Sequence, residues 1–391
     1  MMERKTVQAN DQASPPTDTV RGGLRMAVAG GGTGGHLFPG IAVAEAFRDR
    51  NPRNAVCFVS RGNALERSVL GKAGFPLFCV SAGPIKGRSL PHRLRSVSQL
   101  GVGVFQSLGV LARFRPHLVL GVGGYASAPV VSAAWMMGLP VTLHEQNRLP
   151  GVTNRMLSRL ASRVYLTFGG SAGHFPAGKC LVTGNPVRRS LRTRPAAGAT
   201  RTDDRFTVLV VGGSQGAHRI NLAVLEALEA LPEPTRYRFV HQTGHSDAAH
   251  VEQGYRLRHV EAQVAPFIDD MAAVYAEADV VLCRAGATTV AELTVMGKPA
   301  VFVPFPFAAD DHQVRNAQSL AEEGAAEMIL EKDLSGPVLA RRLESLRARP
   351  ERLAQMAERA QRLGRPEAAE AIVDDLCRVA IRMGRRSGRR V

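Results

Sequence analysis

The sequence predicts an α/β fold built from two doubly wound domains, each a parallel sheet covered by helices, facing each other across a cleft. Three observations carry this prediction. Short apolar runs alternate with helical stretches along most of the 391 residues, the pattern of a parallel sheet covered on both faces. The pattern starts twice, as MAVAGGGTGGH at residues 26–36 and as VLVVGGSQGAH at residues 208–218. Between the two, residues 193–204 (TRPAAGATRTDD) are rich in Pro, Gly, Ala and charge, the composition of a linker.

The elements follow in order. Residues 24–29 read as a strand, a glycine-rich loop follows, and residues 37–49 have helical periodicity. Next come a strand at 55–60, a short helix near 64–73, a strand at 76–81, a helix over 95–113 and a strand at 117–121 that leads into a second glycine loop, GVGGYAS. Strands at 140–144 and 163–167 follow. In the second half, strands are expected at 206–211, 237–242, 257–264, 279–283 and 300–304, with a helix over 218–230. The expected division is a disordered extension at 1–24, a first domain at 25–190, a second at 191–370, and a C-terminal helix with a basic tail at 371–391. The cleft lies at the carboxyl ends of both sheets, where such folds bind ligands.

Composition narrows the function. The net charge of +16 directs the surface toward anions: nucleic acid, anionic lipid or phosphorylated substrate. Aromatic residues are only 5% of the chain, and no basic stretch is interleaved with them, so no nucleic-acid partner is expected. Five cysteines lie far apart with no C-x-x-C pair, which excludes a disulfide scaffold and a cysteine-only zinc site. Residues 1–24 lack the apolar core of a signal peptide, and no tract supplies the ~20 uninterrupted apolar residues of a spanning helix.

The glycine loops carry the chemistry. Gly30 to His36 follows a strand and opens a helix, so its main chain can approach an anion and offer free N–H groups with partial positive charge. The same residues fit G-x-G-x-x-G, but the second strand ends in Ser60-Arg61 rather than an acidic residue. NAD is therefore disfavoured and an NADP oxidoreductase stays open. His36 at the helix start is disfavoured as imidazolium and suits a neutral general base; the alternative is a histidine that only caps the loop. Gly121 to Ser127 forms a second loop in the same domain, suited with the first to two phosphates or a diphosphate. His144-Glu145-Gln146-Asn147 then places four polar residues at a strand end.

In the second half, Gly212 to Ala217 repeats the phosphate logic, and Arg188 of GNPVR is a permanently charged phosphate partner if it faces the cleft. Thr289 and Glu292 fit a capping box; alternatively Glu292 chelates a ribose diol. Asp311, His312 and Gln313 follow the last expected strand, in reach of sugar hydroxyls. No D-x-D pair occurs, so no metal is expected, and leaving-group charge falls to helix N-termini and Arg.

Eight motifs occur in order over residues 26–316: GGGTGGHLFPG, GVGGYASAPV, LHEQN, TGNPVR, VVGGSQGA, FIDDM, CRAGATTVAEL and DDHQVRNA. Together they resemble the MurG family, the UDP-GlcNAc transferases of peptidoglycan synthesis. The resemblance implies a GT-B fold and an inverting transfer of GlcNAc from UDP-GlcNAc to the MurNAc 4-hydroxyl of lipid I (undecaprenyl-pyrophosphoryl-MurNAc-pentapeptide), giving lipid II, with no cofactor. It also implies a donor site in the C-terminal domain. Arg188 and Ser214 meet the diphosphate, Ile268 the uracil, Ala287, Thr288 and Thr289 the phosphate-proximal part, and Glu292 the ribose. Gln313 and Asn147 take the GlcNAc, and Thr33, Gly34 and Gly35 line its sugar end. Gly123, Gly124 and Tyr125, with His36 and Glu145, receive the acceptor. The resemblance does not settle the general base: His36 is the expected one, with Glu145 as rival. Where some relatives have two glutamines this chain has His312-Gln313, so His312 has no assigned role. The alternative within the fold is another UDP-sugar enzyme, a 2-epimerase or a lipid glycosyltransferase.

A lipid-linked acceptor requires approach to a bilayer. Residues 85–97 (IKGRSLPHRLRSV) interleave apolar and basic side chains, as an anionic leaflet attracts; their other reading is a solvated helix start. The expected location is peripheral, on the cytoplasmic face of the inner membrane, with the anionic surface and cell-wall synthesis and division proteins as partners.

Overall fold

The computed structural model describes residues 23–83, 90–192, 204–213, 216–308 and 311–386, with residues 90–97 and 384–386 described in backbone alone. The extension at 1–22, residues 84–89 of the basic stretch, residues 193–203 of the linker, Ser214 and the last five residues lie outside it.

The first lobe holds seven strands: β1 (Arg25–Gly30), β2 (Ala55–Ser60), β3 (Leu77–Cys79), β4 (Leu118–Gly123), β5 (Val141–Glu145), β6 (Arg163–Leu166) and β7 (Cys180–Val182). They form one parallel sheet in the order β3-β2-β1-β4-β5-β6-β7. Its helices are α1 (Gly34–Arg50), α2 (Ala64–Lys72), α3 (Leu90–Phe114), α4 (Ser127–Met136) and α5 (Val152–Leu157), and α6 (Arg189–Arg192) follows the last strand. The second lobe holds β8 (Phe206–Val211), β9 (Tyr237–Gln242), β10 (Glu261–Ala265), β11 (Val280–Cys283), β12 (Ala300–Phe302) and β13 (Ala326–Met328). Their order is β10-β9-β8-β11-β12-β13. Around them lie α7 (His218–Ala230), α8 (Ala248–Leu257), α9 (Met271–Glu277), α10 (Ala287–Met296), α11 (His312–Glu322), α12 (Gly336–Arg347) and α13 (Pro350–Leu363), and α14 (Ala368–Arg386) ends the described chain.

Central strands such as β1 and β8 are buried on both faces, which is why they read as continuous apolar runs. In each sheet the order turns at its first strand, between β1 and β4 and between β8 and β11. The loops leaving those adjacent strands part to opposite faces and open a crevice. The three glycine loops at 30–36, 121–127 and 212–217 leave these positions, and so does the Arg284–Thr289 stretch after β11.

Two differences from the sequence reading have local causes. The strand expected from 257 begins at Glu261, because Val251, Gly254 and Tyr255 bury one face of α8 and hold it helical to Leu257. His259 then turns the chain with φ 53°. Helix α3 begins at Leu90 rather than 95.

The chain crosses between lobes twice. After β7, Val187 and Leu191 already pack into the second lobe's core. After α13 the chain returns: Ala369, Ile372, Val373, Leu376 and Ala380 of α14 pack with Met26, Phe47 and Leu118 of the first lobe. Tyr165 donates to Asp375 at 3.1 Å, and Arg163 pairs with the same carboxylate at 3.0 Å. The crossings touch. Gly184 has φ 88°, and a Cβ there would lie 2.6 Å from Cβ of Arg365, so only glycine fits.

Candidate functional site

The first glycine loop is held shut from below. Gly30 has φ 127°, and a Cβ on it would lie 2.1 Å from the carbonyl oxygen of Gly123, so the loops after β1 and β4 touch through main chain alone. The Gly31 N–H donates to Gly123 at 3.3 Å, and the Gly32 N–H to Oε1 of Glu66 at 2.6 Å. Glu66 is fully buried; it also accepts from the Ser60 hydroxyl and, at 2.8 Å, from the Asn63 N–H. These loop amides therefore serve the fold, and a carboxylate sits beneath them. A ligand is left the first turn of α1, at Thr33, Gly34 and Gly35. The only sequence signal of Glu66 was Asn63-x-x-Glu66, a capping box for α2.

His36 lies in that first turn, half-buried, with its ring over Gly123, where a Cβ would come 3.0 Å from Cε1 and Nδ1. Its Nδ1 is 3.2 Å from Oε1 of Gln146. Burial pushes its imidazole below the usual range; Glu145 and Gln146 oppose that shift, and His312 of the second lobe adds to it. The neutral form expected from the sequence is thus favoured, with burial as the larger cause.

Glu145 ends β5 and is buried. Oε1 accepts from the Asn147 N–H at 3.0 Å and Oε2 from the Gly151 N–H at 3.1 Å and Asn154 Nδ2 at 2.9 Å. Its carboxylate is thus surrounded by donors of the loop that follows it and of α5. Asn147 is half-buried, its amide 3.4 Å from Glu145. Gly124 borders Gly31, and Tyr125 projects into solvent.

In the second lobe, Gly213 and Gly216 turn the loop after β8 with φ near 80° to 90°. Gln242 at the end of β9 ties this loop to the FIDDM segment. Its Nε2 donates to the Gly213 carbonyl at 2.9 Å, and its Oε1 accepts from the Ile268 N–H at 2.9 Å. The sequence reading did not single out Gln242. Ser214 lies outside the described residues.

Arg188 and Glu292 meet at 3.2 Å. The Tyr275 hydroxyl donates to the other carboxylate oxygen at 3.2 Å, and the guanidinium stacks 4.3 Å from the Phe38 ring centroid of the first lobe. Burial raises Glu292 above the usual carboxylate range, against the pull of Arg188. The capping-box reading of Thr289 and Glu292 is corrected. Gly286 is the N-cap of α10, no side chain caps it, and Glu292 lies inside the helix paired with Arg188. Ala287 and Thr288 are buried in the first turn and Thr289 is half-buried. Gln313 in the first turn of α11 accepts from the Phe305 N–H at 3.0 Å, and His312 opens that helix.

Among the described residues, three side-chain bonds join the lobes away from the crossings. Thr288 donates to the Gly35 carbonyl at 3.0 Å, Lys72 meets Asp269 at 2.8 Å, and Arg148 donates to Ser319 at 2.7 Å. The arrangement brings the first turns of α1 and α10 together, with His36 on one side of the seam and the Arg188–Glu292 pair on the other. It suits a reaction between two anionic substrates, one held by each lobe.

Outside this cleft, the first lobe carries exposed apolar side chains on two packed helices. These are Val102 and Phe105 (77% exposed) on α3, and Trp135 (55%) and Met136 on α4. A Cβ on Gly103 would come 3.1 Å from Pro129, so the helices lie side by side. Among the described residues no helix is long and apolar enough to cross a membrane.

Residues 26–166 match the glycosyltransferase family 28 N-terminal domain, and residues 207–372 the family 28 C-terminal domain. A protein of Geobacter sulfurreducens named UDP-N-acetylglucosamine–N-acetylmuramyl-(pentapeptide) pyrophosphoryl-undecaprenol N-acetylglucosamine transferase is 48% identical over 356 residues, 90% of this chain and 98% of the relative. A protein of the same name from Anaeromyxobacter dehalogenans is 49% identical over 357 residues, covering 90% and 92%. Among solved structures, Acinetobacter baumannii MurG superposes with a TM-score of 0.70 at 32% identity, covering 90% of this chain and 98% of that one. A UDP-GlcNAc 2-epimerase from Neisseria meningitidis shares the fold at a TM-score of 0.63 and 16% identity, over 90% of this chain and 99% of that one.

Proposed function

This chain belongs to glycosyltransferase family 28, among the MurG N-acetylglucosamine transferases, and from that premise we propose how its residues divide the transfer of GlcNAc from UDP-GlcNAc to lipid I. The donor sits in the second lobe. Arg188 and the loop of Ser214 take its diphosphate, Ile268 its uracil, and Glu292 its ribose. The first turn of α10, Ala287 to Thr289, takes the phosphate nearest the sugar, and Gln313 and Asn147 the GlcNAc. The acceptor enters against Gly123, Gly124 and Tyr125, with Thr33, Gly34 and Gly35 beside the sugar that is transferred.

The reaction is a single displacement. The MurNAc 4-hydroxyl oxygen forms a bond to C1 of GlcNAc, and the bond from C1 to the UDP oxygen breaks with its electron pair leaving on UDP. The hydroxyl proton passes to His36, and C1 inverts. Helix N-termini and Arg188 meet the leaving charge without a metal ion. The observation that supports His36 over Glu145 is their surroundings. His36 is half-buried and held toward its neutral form, whereas three hydrogen bonds of 3.1 Å or less already surround the Glu145 carboxylate.

A lipid-linked acceptor requires the protein to work at a bilayer. The exposed apolar residues of α3 and α4, with the basic sequence at 85–97, support peripheral attachment through the first lobe to an anionic cytoplasmic leaflet.

The test is transfer of labelled GlcNAc to a soluble lipid I analogue, with and without EDTA. Transfer is expected to survive EDTA, UDP release to require the analogue, and His36→Ala to lower kcat by about 10²–10⁴-fold. UDP-GlcNAc epimerisation without acceptor would replace the transferase reading, and near-normal turnover of His36→Ala would remove the base.

A further inference from the structure

Gln146, almost fully buried just past β5, is wedged between two imidazoles and a carbonyl. Its Nε2 lies 2.8 Å from the carbonyl oxygen of Val122 and 3.1 Å from Nδ1 of His144, and its Oε1 lies 3.2 Å from Nδ1 of His36. A carbonyl oxygen only accepts, so the end of the amide facing Val122 has to be the NH₂ group and the end facing His36 has to be the oxygen. The second amide N–H then points at Nδ1 of His144, which holds a lone pair. The amide oxygen, in turn, has a donor at His36 only when that ring carries its proton on Nδ1.

We propose that Gln146 is a positioning residue that fixes His36 as the Nδ1–H tautomer, leaving Nε2 as the lone pair that takes the acceptor's proton. The inference rests on His36 being the proton acceptor in the transfer. In a neutral imidazole the nitrogen that faces a hydrogen-bond acceptor carries the proton, and the reactive lone pair is left on the other. Without Gln146, proton and lone pair are free to exchange places and His36 loses its fixed plane. During transfer the proton leaves the attacking hydroxyl for Nε2, and the Nδ1–H of the resulting imidazolium stays bonded to Gln146.

The surroundings agree. Three titratable groups act on His36: Glu145 and His144 from β5, and His312 from α11 of the other lobe. Burial pushes His144 down to about 4, so at neutral pH it is the uncharged acceptor that the Gln146 amide needs. Glu145 draws positive charge toward His36 but makes no hydrogen bond to it; its oxygens bond to Asn147, Gly151 and Asn154. Gln146 is thus the side chain bonded to the His36 ring, with the Val122 backbone as a second hydrogen-bond partner.

The experiment uses the full chain labelled with ¹⁵N-histidine, with the His36 signals assigned by their loss in His36→Ala. Two-bond ¹H–¹⁵N correlations of the wild type are expected to show a protonated Nδ1 and a bare Nε2 at neutral pH; the reverse pattern overturns the proposal. Gln146→Met should let the Nε2–H form appear and lower kcat by about 10–100-fold, with KM for UDP-GlcNAc within about twofold. The acidic limb of its pH profile should move down, and that of Gln146→Glu should move up, because a carboxylate favours the imidazolium. A purely structural role would move both limbs alike or neither, and that result overturns the proposal. If Gln146→Met does not fold, the wild-type spectrum still decides. Full turnover by His36→Ala, with the Nδ1–H tautomer intact in the wild type, removes the base assignment and leaves the tautomer standing; a reversed tautomer with an inactive His36→Ala does the opposite.

Discussion

Thr288 and Gly35, 253 residues apart, share a 3.0 Å hydrogen bond from the threonine hydroxyl to the glycine carbonyl, joining the first turn of α10 to the first turn of α1. One hydroxyl proton serves one acceptor at a time. A donor phosphate docking at α10, as proposed, would compete with Gly35 for it and couple seam to ligand. Thr288→Val is expected to lower kcat/KM for UDP-GlcNAc by about 3–10-fold, the worth of one such bond. Thr288→Ser should restore it. Steady-state kinetics check this; an unchanged kcat/KM in the valine variant would show the hydroxyl to be idle.

The Arg188–Glu292 pair predicts an inverted order of stability. Arg188→Ala strands a buried carboxylate, whereas the double variant Arg188→Ala/Glu292→Gln carries no charge there and keeps an acceptor for Tyr275. The double variant should therefore be more stable than the single by about 1–3 kcal/mol in urea unfolding. Both should bind UDP-GlcNAc more weakly than wild type by calorimetry. Equal stability of the two variants would mean that the carboxylate carries no unmet charge.

Acid should destabilise the chain through two buried histidines. Burial pushes His144 to about 4 and His241 to about 3, both below the value of about 6.5 of an unfolded chain. Above that value neither state binds protons at these rings, and stability is flat. Below it the unfolded state takes up protons that the folded state refuses, so stability falls by about 1.4 kcal/mol per pH unit for each ring. Urea midpoints should be level from pH 7 to about 6.5 and decline from there to pH 5. A level midpoint across that range contradicts the assignment.

Phe105 and Trp135 stand exposed on adjacent helices. Each contributes up to about 1.5–3 kcal/mol when its side chain leaves water. Phe105→Ser with Trp135→Ser should lower partitioning onto anionic vesicles at least about tenfold in flotation, while turnover of a soluble acceptor analogue stays the same. Undiminished flotation would move the membrane face elsewhere.

What the sequence made legible was local. Apolar runs punctuated by glycine mark β1, β4, β8 and their loops, because strand, turn and helix start are all written within a dozen residues. The roles of Glu66, Gln146, Gln242 and Tyr275 were silent for the opposite reason: each acts on a residue from another part of the chain, Gly32, His36, Gly213 and Glu292 in turn, and nothing near it in sequence names that target. Glu66 is instructive, since its capping box was readable but its grip on Gly32 was not. The apolar spacing of Ala369, Ile372, Val373, Leu376 and Ala380 announces a helix face, yet only the fold reveals that the face belongs to the opposite lobe.

The contact between Gly184 and Arg365 has a mechanical consequence. Two bodies joined by a pair of neighbouring single-chain passages, touching where they pass, keep one easy rotation about the line through them and resist sliding and twisting. Any parting of the lobes for sugar nucleotide entry or UDP exit would draw on that same swing. A bulky residue at position 184 would act as a wedge at the pivot, felt at the far rim of the cleft although it touches no substrate.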